Sequence, residues 1–266
     1  MDDDHTGDPT LPTDAEIQSY VAPPGLLAGR VILITGAGGG LGSALAAACA
    51  ALGARLVLCG RKVGRLEKVY DAIMAAGGPR PSIAPLDLER ADASHYDALA
   101  DAVANEYGRL DGLVHAAALL GERSPVEHHD VVSWLRVMHV NVNAAFILTK
   151  SLLPLLKLSP DASAVFVTSG VSVRGRAYWG AYAASKFAVE GLMQVLADET
   201  ADATCIRVNS VNPGPMRTRM RASAYPGEDP STLPEPQRVL GPFLYLLGPA
   251  GRGISGRRFD AQQGAR

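Results

Sequence analysis

The sequence predicts an α/β fold, one doubly wound parallel sheet of about seven strands with helices on both faces, and three observations point there. After residue 28, short strand-like segments alternate strictly with helix-like ones. The strands are apolar throughout instead of alternating, as strands covered on both faces must be. A glycine-rich turn joins the first strand to the first helix, where such sheets hold ligands.

Each element has its own warrant. Val31-Ile32-Leu33-Ile34 is the first strand, and an Ala-rich helix follows over 43–52. The second strand covers 55–59; the next helix, 65–76, ends at Gly77-Gly78. A third strand over 82–86 precedes an amphipathic helix, 95–107, that stops at Gly108. The fourth strand is 112–115, and 131–156 reads as one long helix with Pro154 near its end. Strand 164–168, helix 182–199 and strand 206–211 continue the alternation, which closes on a helix over 236–247 and a short strand over 256–259. Between them, Pro226, Pro230, Pro234 and Pro236 make 225–236 a loop, a candidate lid. Residues 1–28, acidic at Met1-Asp2-Asp3-Asp4 and marked by Pro9, Pro12, Pro23 and Pro24, read as a mobile or surface-draped extension. A turn or two of helix over 14–20, capped by Asp14, is expected within it. Residues 29–266 then form a single domain.

Composition narrows the function. Of 266 residues 47% are hydrophobic, enough for one large core, and the formal net charge of -2 gives no global attraction to nucleic acid or anionic membranes. Cys49, Cys59 and Cys205 have no metal or disulfide spacing and read as free thiols of a reducing compartment. With neither a bilayer-length apolar run nor a signal peptide expected, the cytoplasm is the predicted location.

The turn Thr35-Gly36-Ala37-Gly38-Gly39-Gly40-Leu41-Gly42 opens a helix whose free N–H groups can meet a pyrophosphate. It lacks the strict G-x-G-x-x-G spacing; its place between strand and helix carries the argument. Gly36, Gly38, Gly39, Gly40, Leu41 and Gly42 are therefore expected at a dinucleotide. An acidic residue about 20 positions on would hold an NAD ribose. Here Gly60 is followed by Arg61 and Lys62, which suit a 2′-phosphate, so NADP(H) is favoured over NAD(H). Asp87 and Leu88, after the third strand, are placed to border the adenine.

Tyr182 and Lys186 lie one helical turn apart, so an ammonium is expected beside a phenol whose pKa it would lower towards neutrality. That pair makes a general acid or base for a carbonyl or alcohol. The spacing alone is weak, but Ser169, at a strand end, and Asn141, in the long helix, accompany it.

This set resembles the single-domain short-chain dehydrogenase/reductase family, with its Rossmann-type fold, from about Leu27 onward. Leu113 to Gly121 and Gly175 to Glu199 look most like a bacterial branch of YciK-type oxidoreductases. The resemblance implies hydride transfer between nicotinamide and a small carbonyl or alcohol substrate. Tyr182 would pass the proton, Lys186 would lower its pKa and bind the nicotinamide ribose, and Ser169 would polarise the carbonyl. Asn141 would hold a water, and Pro213, Gly214, Met216 and Thr218 would form the turn at the nicotinamide. It also implies a homodimer or homotetramer, while the charge balance leaves no nucleic-acid or membrane partner expected. Two departures stand out. His115-Ala116-Ala117-Ala118 replaces the family's Asn-Asn-Ala-Gly, with Ala116 and Ala117 still expected beside the cofactor. Phe259-Asp260-Ala261-Gln262-Gln263-Gly264 replaces Val-Asp-Gly-Gly.

Other residues carry weaker expectations. Ser172, Trp179, Met220 and Tyr225 are candidates for the substrate pocket; Met193 and Leu196 follow core spacing. His128-His129 reads as a solvated helix start, so no metal is expected. Arg174, Arg176, Arg217, Arg219 and Arg221 leave two alternatives open: a 3-oxoacyl-thioester reductase acting on an acidic carrier, or plain solvated surface. A dinucleotide-binding regulator with little turnover is a further alternative, supported only by the altered 115–118 segment.

Overall fold

The computed structural model describes residues 12–202 and 204–264. Its strands are β1 (Val31–Thr35), β2 (Arg55–Gly60), β3 (Ser82–Pro85), β4 (Gly112–His115), β5 (Ala162–Val167), β6 (Ile206–Asn212) and β7 (Arg258–Asp260). They form one parallel sheet in the order β3-β2-β1-β4-β5-β6-β7. Thr35 at the end of β1 pairs with Cys59 of β2 and with His115 of β4, so three strands end in line. The chain leaves β1 towards one side and β4 towards the other, which opens a crevice above them.

Alternation along the strands sorts the core into two layers. Ile32 and Ile34 face α2 (Gly40–Ala51), α3 (Val63–Ala75) and α9 (Gly241–Leu247), against Leu45, Leu66 and Phe243. Val31 and Leu33 face the other way, towards α4 (Ala93–Tyr107), α6 (Ala144–Lys157) and α7 (Gly180–Thr200), against Tyr96, Leu148 and Met193. Each fully buried side chain of this size contributes roughly 1.5–3 kcal/mol.

The long helix expected over 131–156 is three pieces on one axis. α5 (Val131–Met138) passes through a π-helical turn, His139–Asn143, into α6. Together they run 27 residues and include an 18-residue window of mean hydropathy 1.4, long and apolar enough to cross a bilayer, which corrects the expectation that no run reaches that length. Leu148, Leu152 and Leu156 are instead buried against the sheet. The last helix is also interrupted, a 3-10 turn over Pro236–Val239 preceding α9. The proline-rich loop follows a short helix α8 (Arg219–Ala224) and is fastened by Arg217, which donates to Pro230 O at 2.9 Å and from its main chain to Pro234 O at 2.8 Å.

From residue 12 the chain is part of the same packed body. Helix α1 (Asp14–Gln18) is capped by Thr13, in a capping box with Glu16, and not by Asp14 as expected. Its Ile17 and the later Leu27 are buried in the core beside α9, so no packing boundary falls at residue 28. The acidic start expected to be mobile, residues 1–11, lies outside the described residues.

Candidate active site

A cleft of about 1070 Å³ lies across the C-terminal ends of β1, β2, β4, β5 and β6. Its floor is the glycine-rich turn, where Gly36 has a φ of +66° and a Cβ at Gly42 would stand 2.3 Å from Gly36 O. A side chain at either position would force the turn apart, and without one the backbone can lie close to a ligand. The turn runs into the N-terminus of the 12-residue α2, which presents unpaired N–H groups. Gly36, Gly38, Gly39, Gly40, Leu41 and Gly42 all line the cleft, as do Arg61, Lys62, Asp87, Leu88, Ala116, Ala117, Pro213, Gly214, Met216 and Thr218.

At the end of β2, Arg61 does not stand alone. Glu89 lies 3.6 Å from it and also pairs with Arg136 at 2.8 Å. Arg65, in the first turn of α3, lines the same wall and was missed in the sequence. Glu89 could not be foreseen, because the turn after β3 brings it there.

The altered segment after β4 is repaired locally. Thr35 Oγ1 accepts from Ala117 N at 3.1 Å and donates to Val114 O at 3.3 Å. His115 stacks on Phe166 with ring centroids 4.7 Å apart. Thr149 Oγ1 donates to Ala145 O, so His115 Nε2, 2.8 Å away, must be its donor. Burial, then the charge of Lys186, hold the His115 imidazole down to about 3, so it is a neutral brace and no base.

Ser169, Tyr182 and Lys186 all line the cleft. Tyr182 and Lys186 are 9% and 3% exposed, and the phenol is hydrogen-bonded to Ser169. Lys186 Nζ lies 5.6 Å from the Tyr182 ring centroid and donates to Val167 O at 2.7 Å. The expected acidification of the phenol by this ammonium is not what the chain alone displays. Burial pushes Tyr182 up to about 12 against a smaller opposing effect of the Ser169 hydrogen bond. Lys186 is itself brought down to about 8 by burial, with Glu190 opposing.

Asn141 sits in the π turn behind Lys186, outside the main cleft. Its Oδ1 accepts from Leu119 N at 2.7 Å, and its Nδ2 donates to Leu119 O and to Ser185 Oγ, each at 2.9 Å. Both amide protons are thus used, and the side chain ties the cleft wall to the tyrosine helix.

Of the substrate-pocket candidates, Trp179, Met220 and Tyr225 line the cleft and Ser172 does not. Ser172 is buried, its hydroxyl donating to Ser169 O at 2.7 Å and lying 3.1 Å from Glu190 Oε1. The Trp179 ring lies 5.7 Å from Tyr182 and 5.9 Å from Tyr225, with the Arg123 guanidinium 4.9 and 5.0 Å from the Trp179 and Tyr225 rings. Arg176, Arg217, Arg219 and Arg221 reach the mouth. Two of them are already matched, Arg221 to Glu228 at 2.6 Å and Arg217 to Glu235 at 3.4 Å. Gln262, unforeseen, donates to Pro213 O and Pro215 O at 2.7 and 2.8 Å.

Comparison with known proteins follows the same lines. The family model for short chain dehydrogenases matches residues 30–229. Over 245 residues the chain is 46% identical to an uncharacterized oxidoreductase, YciK, of Escherichia coli K12, covering 92% of this chain and 96% of the relative. A putative short chain dehydrogenase from Pseudomonas syringae superposes with a TM-score of 0.90 at 53% identity, over 91% and 98% of the two chains. Another from Escherichia coli CFT073, solved in complex with NADPH, gives 0.88 at 47% identity over 90% and 100%.

Proposed function

The chain belongs to the short chain dehydrogenase family, and from that premise we propose that it interconverts a carbonyl and an alcohol with NADP(H), Tyr182 being the general acid/base. The observation that carries this reading is the phenol itself. It is buried, hydrogen-bonded to Ser169 and beside Lys186, at the cleft end away from Arg61. When bound, the dinucleotide supplies the hydride donor or acceptor and, if oxidised, a positive charge near the phenol.

The rest falls to the chain's own residues. Ser169 and Tyr182 hold a substrate oxygen between two hydroxyls. A phenol at about 12 stays protonated at neutral pH, the form that gives a proton to a carbonyl oxygen. Lys186 shares the cleft wall and supplies positive charge there while protonated, favouring the phenolate left behind. A small pocket of about 10 Å³ bounded by Asn141, Lys186, Thr35 and His115 has room for about one water, through which the ammonium can recover a proton. Glycine turn and helix N-terminus suit the pyrophosphate, and the Arg61, Lys62 and Arg65 cluster supports NADP(H); that a relative 47% identical was solved in complex with NADPH supports the same reading.

Trp179, Tyr225, Met216 and Met220 favour a small apolar or ring-containing ketone. The thioester-reductase alternative rests on the arginines at the mouth, and the pairing of Arg217 and Arg221 with carboxylates leaves it with less support. Exposed Val131, Val132, Leu135 and Phe146 on the long helix, with Phe187 and Val195 on α7, support a homodimer or homotetramer. Free cysteines fit a reducing compartment such as the cytoplasm.

A spectrophotometric screen of ketones, aldehydes, quinones and oxoacyl thioesters with NADPH and NADH tests the class. Tyr182→Phe is expected to bind NADPH as the wild type does and to lose at least about a hundredfold in turnover. Turnover near wild type in that variant would refute the assignment.

A further inference from the structure

The cleft's reacting end is shaped by a turn with little hold of its own. Pro213 and Pro215 have no N–H, so over Pro213-Gly214-Pro215 only Gly214 can donate, and its N–H is taken by Asn212 Oδ1 at 3.0 Å. Gly214 has a φ of +71°, the one place in the turn where the chain can reverse its sense. What fastens the turn from outside is the C-terminal segment. Gln262 spends its carboxamide nitrogen on Pro213 O at 2.7 Å and Pro215 O at 2.8 Å, bridging the two prolines. Two residues further on, Gly264 itself lines the cleft.

The brace is anchored. Ala261 N donates to Asn212 O at 2.8 Å, and Asn212 Nδ2 to Asp260 Oδ1 at 2.7 Å. From the opposite side Gln18 Nε2 donates to Asp260 O at 2.8 Å. A carboxamide has two donors, and a bridge between two carbonyls uses both; a carboxylate of the same size has none.

We propose that Gln262 is a positioning residue for the nicotinamide half of the dinucleotide, holding the Pro213–Met216 turn at the spacing from Tyr182 and Lys186 that this half requires. The assignment rests on the NADP(H) reading given above. The turn lies at the reacting end of the cleft, while Arg61, Lys62 and the glycine turn lie at the other. Loss of the brace therefore alters binding of one half of the ligand and leaves the other half's partners in place.

The experiment uses the full chain as wild type, Gln262→Ala and Gln262→Glu. It compares dissociation constants for NADPH, by fluorescence, with those for adenosine 2′,5′-bisphosphate, by calorimetry, the latter having the 2′-phosphate and no nicotinamide. Both variants are expected to weaken NADPH about tenfold, the equivalent of one to two net hydrogen bonds, with the bisphosphate unchanged. Gln262→Glu is the more severe test of the donors, because it keeps the volume, removes the N–H groups and sets a carboxylate against the two carbonyl oxygens. NADPH affinity unchanged in both variants overturns the assignment, and so does an equal loss for both ligands, which would mark general unfolding of the site. A wild type that binds neither ligand overturns the cofactor reading and this assignment with it, and is told apart by needing no variant.

Discussion

Stacked on Phe166 and tied to Thr149, the His115 ring is held at about 3 against an ordinary 6.5. Between those values the unfolded chain binds a proton that the folded chain refuses, so stability falls as pH drops below about 6.5 and goes on falling towards 3. His115→Asn, which restores the family's residue, is expected to lose about 2 kcal/mol less than the wild type between about pH 7 and 4.5, read from urea midpoints. The proposed cofactor choice can also be tested at single residues. Arg61→Ala should weaken NADPH about tenfold more than NADH, and Glu89→Gln should tighten NADPH a few-fold by removing the carboxylate that competes for Arg61. Equal changes for both cofactors would remove the 2′-phosphate argument. Arg61 was legible because it directly follows a strand end. Glu89 was not, because the sequence does not give its approach across a turn. Ser172 was not legible for a related reason: five residues past the end of β5, a 3-10 turn directs its hydroxyl to Ser169 O and towards Glu190 instead of into the cleft.

At the scale of elements, strand and helix periodicities gave the sheet and its covering layers, and the glycine turn and Tyr182 with Lys186 stood at element ends where chemistry gathers. The π turn left no such trace. One extra residue within a continuous apolar helix changes the backbone and barely disturbs the pattern, yet it sets Asn141 against Leu119 and Ser185. Asn141→Ala is expected to destabilise the fold by about 1–3 kcal/mol, since both main-chain groups of Leu119 lose their partner, and to lower turnover through the loosened wall. Thermal midpoints and kcat on whichever ketone the screen finds would check both. An unchanged midpoint would mean that other groups satisfy Leu119. The C-terminal segment was recognised as a departure from the family, but its use as a clamp depends on the strand pairing that lays β7 beside β6.

On the scale of the whole molecule, the end opposite the cleft is sewn together by charge. Asp161, before β5, pairs with Arg207 of β6 at 3.0 Å, Arg30 before β1 at 3.1 Å and Arg252 at 3.2 Å. Asp161 and Arg207 side chains are 9% and 8% exposed, so this node sits largely away from water. Asp161→Asn is expected to cost about 3–5 kcal/mol, because Arg207 would remain buried without its countercharge. Equilibrium denaturation measures it, and a loss below about 1 kcal/mol would mean that water reaches the arginine. None of this was read from the sequence, where Asp161 is an ordinary acidic residue beside a proline.

The strand order has a consequence for how the chain comes together. β1, the first strand to be made, ends up in the middle of the sheet; β2 and β3 then extend it outward on one side, and β4 to β7 on the other. Each newly emerging strand therefore finds a finished edge to dock on, and none has to be inserted between two that are already joined. Growth changes direction once, between β3 and β4, and the cleft opens above that reversal.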